Sequence, residues 1–99
     1  MNLEAFKNSL RDESPPSGLK LTLEAMWYDA KGDWEKAHEI VQSQNDGDGA
    51  WVHAYLHRKE GDTSNANYWY LRSRRPFSEA TIDDEWESLV ASLLSHQAD

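Results

Sequence analysis

The chain contains no cysteine, which excludes disulfides and thiol chemistry and leaves the redox compartment unencoded. Basic residues are scarce: 10 Lys and Arg stand against 18 Asp and Glu, for a formal net charge of -8. Such a surface keeps a small protein soluble and repels phosphate backbones and anionic lipid, so neither nucleic acid nor membrane is the expected partner. No apolar run approaches the roughly 18 residues that a membrane span needs. The opening MNLEAFKNSLRDES is amphipathic and carries acids, unlike a secretory signal, and cytoplasm is the expected location. β-Branched residues are sparse and period-two alternation never persists, so no strand is expected. Apolar residues make up only 38% of the 99, but five Trp, four Tyr and two Phe compensate, because each ring buries a large area. One folded, all-α domain (1–99) is the expectation.

The densest aromatic stretch is Trp51–Tyr70, WVHAYLHRKEGDTSNANYWY, with Gly61-Asp62 breaking its middle. Around it the chain parses into helices. Leu3, Phe6 and Leu10 lie at helical spacing, which predicts a short first helix over 2–11, part of an N-terminal arm (1–13). Ser14-Pro15-Pro16-Ser17-Gly18 ends it, so the arm is expected to dock loosely or on a partner, and Ser17 is a candidate N-cap. A second helix is expected from Leu19 to Lys31, apolar on two adjoining stripes. Gly32 suits its left-handed close and Asp33 the cap of a third helix carrying Trp34, Ala37, Ile40 and Val41 inward. Asn45-Asp46-Gly47-Asp48-Gly49 reads as a loop, and it lacks the fifth and twelfth oxygen ligands of an EF-hand. A fourth helix is expected from Ala50 to Lys59 or Glu60. A fifth, capped by Asp62 or Thr63, runs to Ser73. A last, capped by Ser78 or Thr81, presents Trp86, Leu89, Val90, Leu93 and Leu94.

The chain echoes itself at an offset of 29 residues: Gly32-Asp33 meets Gly61-Asp62, Ala25 meets Ala54 and Ala37 meets Ala66. The first half reads A-x-x-Y-x-x-x-G-D-W-x-x-A from Ala25 to Ala37, which resembles the tetratricopeptide repeat. The second half (50–75) keeps Ala54, Gly61 and Ala66 but places His57 and Thr63 where the aromatics stand in the first (19–44). The offset is also about five residues shorter than that family's usual unit. The resemblance implies a right-handed array of two helical hairpins, flanked by the N-terminal arm and a capping helix over 82–96. It further implies a protein- or peptide-binding adaptor, non-enzymatic, whose inner face is lined by Met26, Asp29, Trp51, Tyr55 and Arg58.

One departure from that pattern carries chemistry. Glu24 and His53 occupy equivalent positions where the repeat usually buries Leu, and Tyr28 and His57 follow one turn later, with His38 able to point the same way. Buried ionisable groups need partners. Three readings follow: a hydrogen-bonded network fixing helix register, a polar pocket of a small ligand-binding protein or enzyme that binds a ligand or performs acid-base work, or a metal site. His53 and His57 at i, i+4 share a helical face, and Glu24 or His38 would supply a third metal ligand. Arg72, Arg74 and Arg75 suit the end of a helix, and Tyr68-Trp69-Tyr70 reads as core packing. No catalytic motif is present, so no catalytic residue, resident metal or cofactor is assigned. An exposed aromatic face in so small a protein also suits homodimerisation.

Overall fold

Local chemistry sets most of the helix starts. The computed structural model describes residues 1–97, and among these the chain forms six helices and no strand. They are α1 (Leu3–Ser9), α2 (Leu21–Ala30), α3 (Trp34–Val41), α4 (Gly47–Lys59), α5 (Thr63–Ser73) and α6 (Ile82–His96). No described helix is long and apolar enough to cross a membrane.

Five of the six starts are capped by a side chain. Asn2, Asp33, Asp46, Asp62 and Thr81 each accept a hydrogen bond from the backbone N–H three residues on, satisfying one of the donors a helix start leaves unpaired. The exception is α2, which begins after Lys20 with no side-chain cap, so Ser17 plays no such part and the helix starts two residues later than its periodicity suggests. The two Gly-Asp turns are built alike. Gly32 and Gly61 sit at φ 88° and 87°, and the N–H of Asp33 and of Asp62 reaches back to Tyr28 and His57 carbonyls at 2.9 Å in both cases. α4 starts three residues earlier than the Gly-rich sequence suggests, because Asp46 caps it and Gly49 can lie against the Gln44 backbone.

Packing follows two helix pairs, α2 with α3 and α4 with α5, with α6 laid against α2 and α4 and α1 against α6. Ala25, Ala37, Ala54 and Ala66 are fully buried, as close helix approach requires. The main core gathers Leu23, Met26, Trp27, Val52, Tyr55 and Leu56 under Trp86, Leu89, Val90 and Leu93 of α6. Each such large side chain contributes about 1.5–3 kcal/mol on burial.

Two expectations need correction. The N-terminal arm is not loosely attached: Phe6 is fully buried with its ring 5.9 Å from Trp86, and Lys7 pairs with Glu87 at 3.0 Å. Nor is the second apolar stripe of α2 covered throughout, since Leu21 is exposed.

Candidate functional site

The residues expected to line an inner binding face are spent on internal contacts. Met26 and Tyr55 lie fully buried beneath α6, whose Trp86 indole donates to the Met26 carbonyl at 3.3 Å. Asp29 is buried too: it accepts from the Tyr55 hydroxyl at 2.9 Å and from Lys59 Nζ at 3.0 Å. Burial, followed by the neighbouring Asp29 charge, pushes the Tyr55 phenol well above its ordinary range. Arg58 donates to Glu85 Oε1 at 2.7 Å and also bonds the Ala80 carbonyl. Buried Glu85 accepts in addition from the Tyr70 hydroxyl and, at 3.4 Å, from the Trp51 indole. Burial and the bond to Glu85 hold the Tyr70 phenol up in the same way. Trp51 is half-buried, with the Arg75 guanidinium 4.1 Å from its ring. It lines an open cavity of about 670 Å³ together with Tyr70, Phe77 and Ser88. Of the five expected face residues only Trp51 and Arg58 retain access to solvent, because two helix pairs leave α2 and α4 to be covered by α6.

The polar residues behave differently. His38, His53 and His57 come together, and Glu24 is not of their number. Tyr28 packs on the edge of Trp27 instead, with Lys36 over its ring. The i, i+4 spacing on α4 stacks His53 and His57 with centroids 5.0 Å apart and planes 18° from parallel. His38 enters from α3, its ring 4.8 Å from His53 and 5.1 Å from His57, nearly perpendicular to both. Two tryptophans bracket the trio. Trp34 stacks on His38 at 4.9 Å, itself an i, i+4 pair, while its indole N–H is fixed on the Leu56 carbonyl at 2.8 Å. Trp69 of α5 stacks on His53 at 3.9 Å.

Burial sets the electrostatics of His53, the deepest of the three rings. Burial, then the His38 and His57 rings, lowers the His53 pKa to about 4. His38, half-buried, is lowered as well, first by burial and then by His57. The Nε2 atoms of His38 and His53 stand 3.0 Å apart, so one carries a proton and the other accepts it. His57 Nδ1 bonds Glu60 Oε1 at 2.7 Å. His53 Nδ1 is buried without a partner. Among the described residues two sets of side chains have donor atoms close enough to hold a metal: these three histidines, and His57 with Glu60 and Asp62. In the second set Asp62 is already the N-cap of α5 and both carboxylates are exposed.

A further surface was not foreseen. Among the described elements α5 packs on α4 alone, and successive rings of Tyr68-Trp69-Tyr70 turn to three environments. Tyr70 enters the core, Trp69 meets His53, and Tyr68 faces outward at 52% exposure. Leu71 beside it is 71% exposed. Arg72 covers this face, donating to the Tyr68 hydroxyl at 3.2 Å with its guanidinium 5.5 Å from the Trp69 ring. Leu71 and Arg72 stand three and four residues after Tyr68, so the spacing that finds helical stripes carries this signal as well.

Set against protein-family models, curated proteins and solved structures, the chain matches none of them.

Proposed function

We propose that the protein is a non-enzymatic binding module that docks a partner protein on the outer face of α5. The observation that carries this reading is the Tyr68–Leu71–Arg72 surface, on a helix with a single packing neighbour. Exposed Leu in isolation is ordinary, but here it joins a Tyr and an Arg, residue types that dominate interface energetics. Arg72 and exposed Arg74 make this end of α5 basic in a chain of net charge -8. The partner is therefore an acidic segment with an apolar anchor, steered by charge and held by Leu71. The same reading takes α2–α3 and α4–α5 as two tetratricopeptide-like units, supported by their matching Gly-Asp turns and buried alanine pairs.

A peptide-display selection against the protein, counter-selected on the Leu71→Asp variant, tests the assignment. The expected binders share a large apolar residue flanked by Asp or Glu, and lose affinity for Leu71→Asp while keeping it for Trp51→Ala. Binders indifferent to Leu71→Asp would move the interface elsewhere. Concentration-dependent dimerisation abolished by Leu71→Asp would make a second copy of the chain the occupant.

A further inference from the structure

We propose that His38, His53 and His57 bind one divalent first-row transition metal ion of the Zn2+ class, each through one imidazole nitrogen. A fourth position is left to water or an added ligand. This site is separate from the α5 face and does not depend on it.

The geometry is near that of a coordination sphere. One donor atom from each ring lies within 4.8 Å of the other two. Adjacent nitrogens around a tetrahedral Zn2+, at Zn–N of about 2.0–2.1 Å, stand about 3.3 Å apart. His38 and His53 already meet at 3.0 Å. Side-chain rotation at His57 closes the remainder, with its Nδ1 engaged by Glu60 and Nε2 therefore the coordinating atom. Such a carboxylate behind a ligating imidazole fixes its tautomer and raises its basicity.

Hydrogen bonding alone leaves the trio poorly satisfied. Two Nε2 atoms share one proton, and His53 Nδ1 has nothing to bond. A register-fixing network would be expected to satisfy its buried members fully, since a half-satisfied one costs more than apolar side chains of the same size. A cation between the rings accepts both Nε2 lone pairs at once in place of the single hydrogen bond between them, with His53 Nδ1 unpartnered in either state.

The surroundings favour the same outcome. Trp34 and Trp69 clamp the outer faces of His38 and His53, limiting ring rotation before a metal arrives. An all-imidazole donor set suits Zn2+, Cu2+, Ni2+ and Fe2+ and disfavours Ca2+ and Mg2+, which take oxygen. Because His38 comes from one helix pair and the other two rings from the next, the ion would also tie α3 to α4.

The experiment uses tag-free, chelator-treated protein titrated with ZnCl2 by calorimetry and with CoCl2 by visible absorption. One equivalent should bind saturably, and Co2+ should develop d–d bands of a nitrogen-rich, low-coordinate site. His38→Gln, His53→Gln and His57→Gln should each weaken binding on the order of 100-fold, and Glu60→Gln about 10-fold. His96→Gln, at an exposed ring paired with Asp48, should change nothing. Should a buried-ring variant fail to fold by circular dichroism, two readings remain. They are half-exposed His38→Gln, and imidazole NMR of the unmodified protein, in which Zn2+ must shift the three clustered rings and spare His96. Absence of one-equivalent binding, wild-type affinity in His38→Gln, or loss of binding in His96→Gln overturns the proposal.

Discussion

His38 and His53 face each other Nε2 to Nε2 at 3.0 Å across the seam between α3 and α4, from residues 15 apart in sequence. The two rings cannot both take a second proton there without placing two charges side by side.

Stability of the metal-free protein is therefore expected to fall on mild acidification. The His53 pKa is about 4 in the folded chain against 6.5 when free. Between those values the unfolded chain binds more protons than the folded one, so stability rises with pH through this window and is lost as pH falls. His38 acts in the same direction, opposed in part by the Glu60 carboxylate. From pH 6.5 to 5 the His53 share is about 1.5 kcal/mol. Urea denaturation at intervals of pH, in chelator, measures it. His53→Gln should flatten the slope, and an unchanged slope would place the titrating group elsewhere.

Glycines 47 and 49, both in the first turn of α4, should respond to alanine in opposite ways. A Cβ on Gly49 would lie 2.3 Å from the Gln44 carbonyl oxygen, against backbone that cannot yield without shifting the preceding loop. Gly49→Ala is expected to cost about 1–3 kcal/mol. Nothing lies within 4 Å of a Cβ on Gly47, and its φ is an ordinary one. Gly47→Ala should then gain about 0.5–1 kcal/mol by restricting the unfolded chain. Thermal melts of the two variants, compared with the parent, decide the matter.

Glu85 gathers three donors from two elements: Arg58 and Trp51 of α4 and Tyr70 of α5. Glu85→Ala would strand the Arg58 guanidinium and the buried Tyr70 hydroxyl together, and a loss of about 3–5 kcal/mol is expected. Tyr70→Phe removes one donor and keeps the ion pair, so about 1 kcal/mol should go. Chemical denaturation that ranked Tyr70→Phe above Glu85→Ala would contradict the view of Glu85 as the hub.

These residues show which part of the molecule periodicity and turn chemistry reveal. The Gly32 and Gly61 turns, the Asp33, Asp62 and Thr81 caps, and the covering stripe of α6 are each decided within a few residues, and all are visible in the chain. The His53–His57 pair is legible for the same reason. Trp69 and Glu60 are not, because their places beside the imidazoles depend on how α5 rolls against α4 and on a side-chain rotamer. The inner face failed as an open surface for a related reason. Whether Met26 and Tyr55 meet solvent depends on where α6 lies, which no pattern within α2 or α4 encodes. Polar residues mislead most readily here: Asp29 looks like a surface group, yet it is the buried anchor between α2 and α4.

That placement of Asp29 gives the last expectation. Its carboxylate is 1% exposed and receives both Tyr55 and Lys59 from α4. Asp29→Ala leaves the Tyr55 hydroxyl buried without an acceptor and releases Lys59, which is 39% exposed and can turn to water. The loss should be about 2–3 kcal/mol, most of it from the orphaned hydroxyl. Tyr55→Phe alone keeps the Lys59 pair and should cost about 1 kcal/mol. In the double variant the hydroxyl is no longer there to be orphaned, so the loss should fall short of the two single losses added. A double-mutant cycle by urea denaturation reads the coupling directly. Strict additivity, with both single losses below about 0.5 kcal/mol, would return Asp29 to the role of a surface residue.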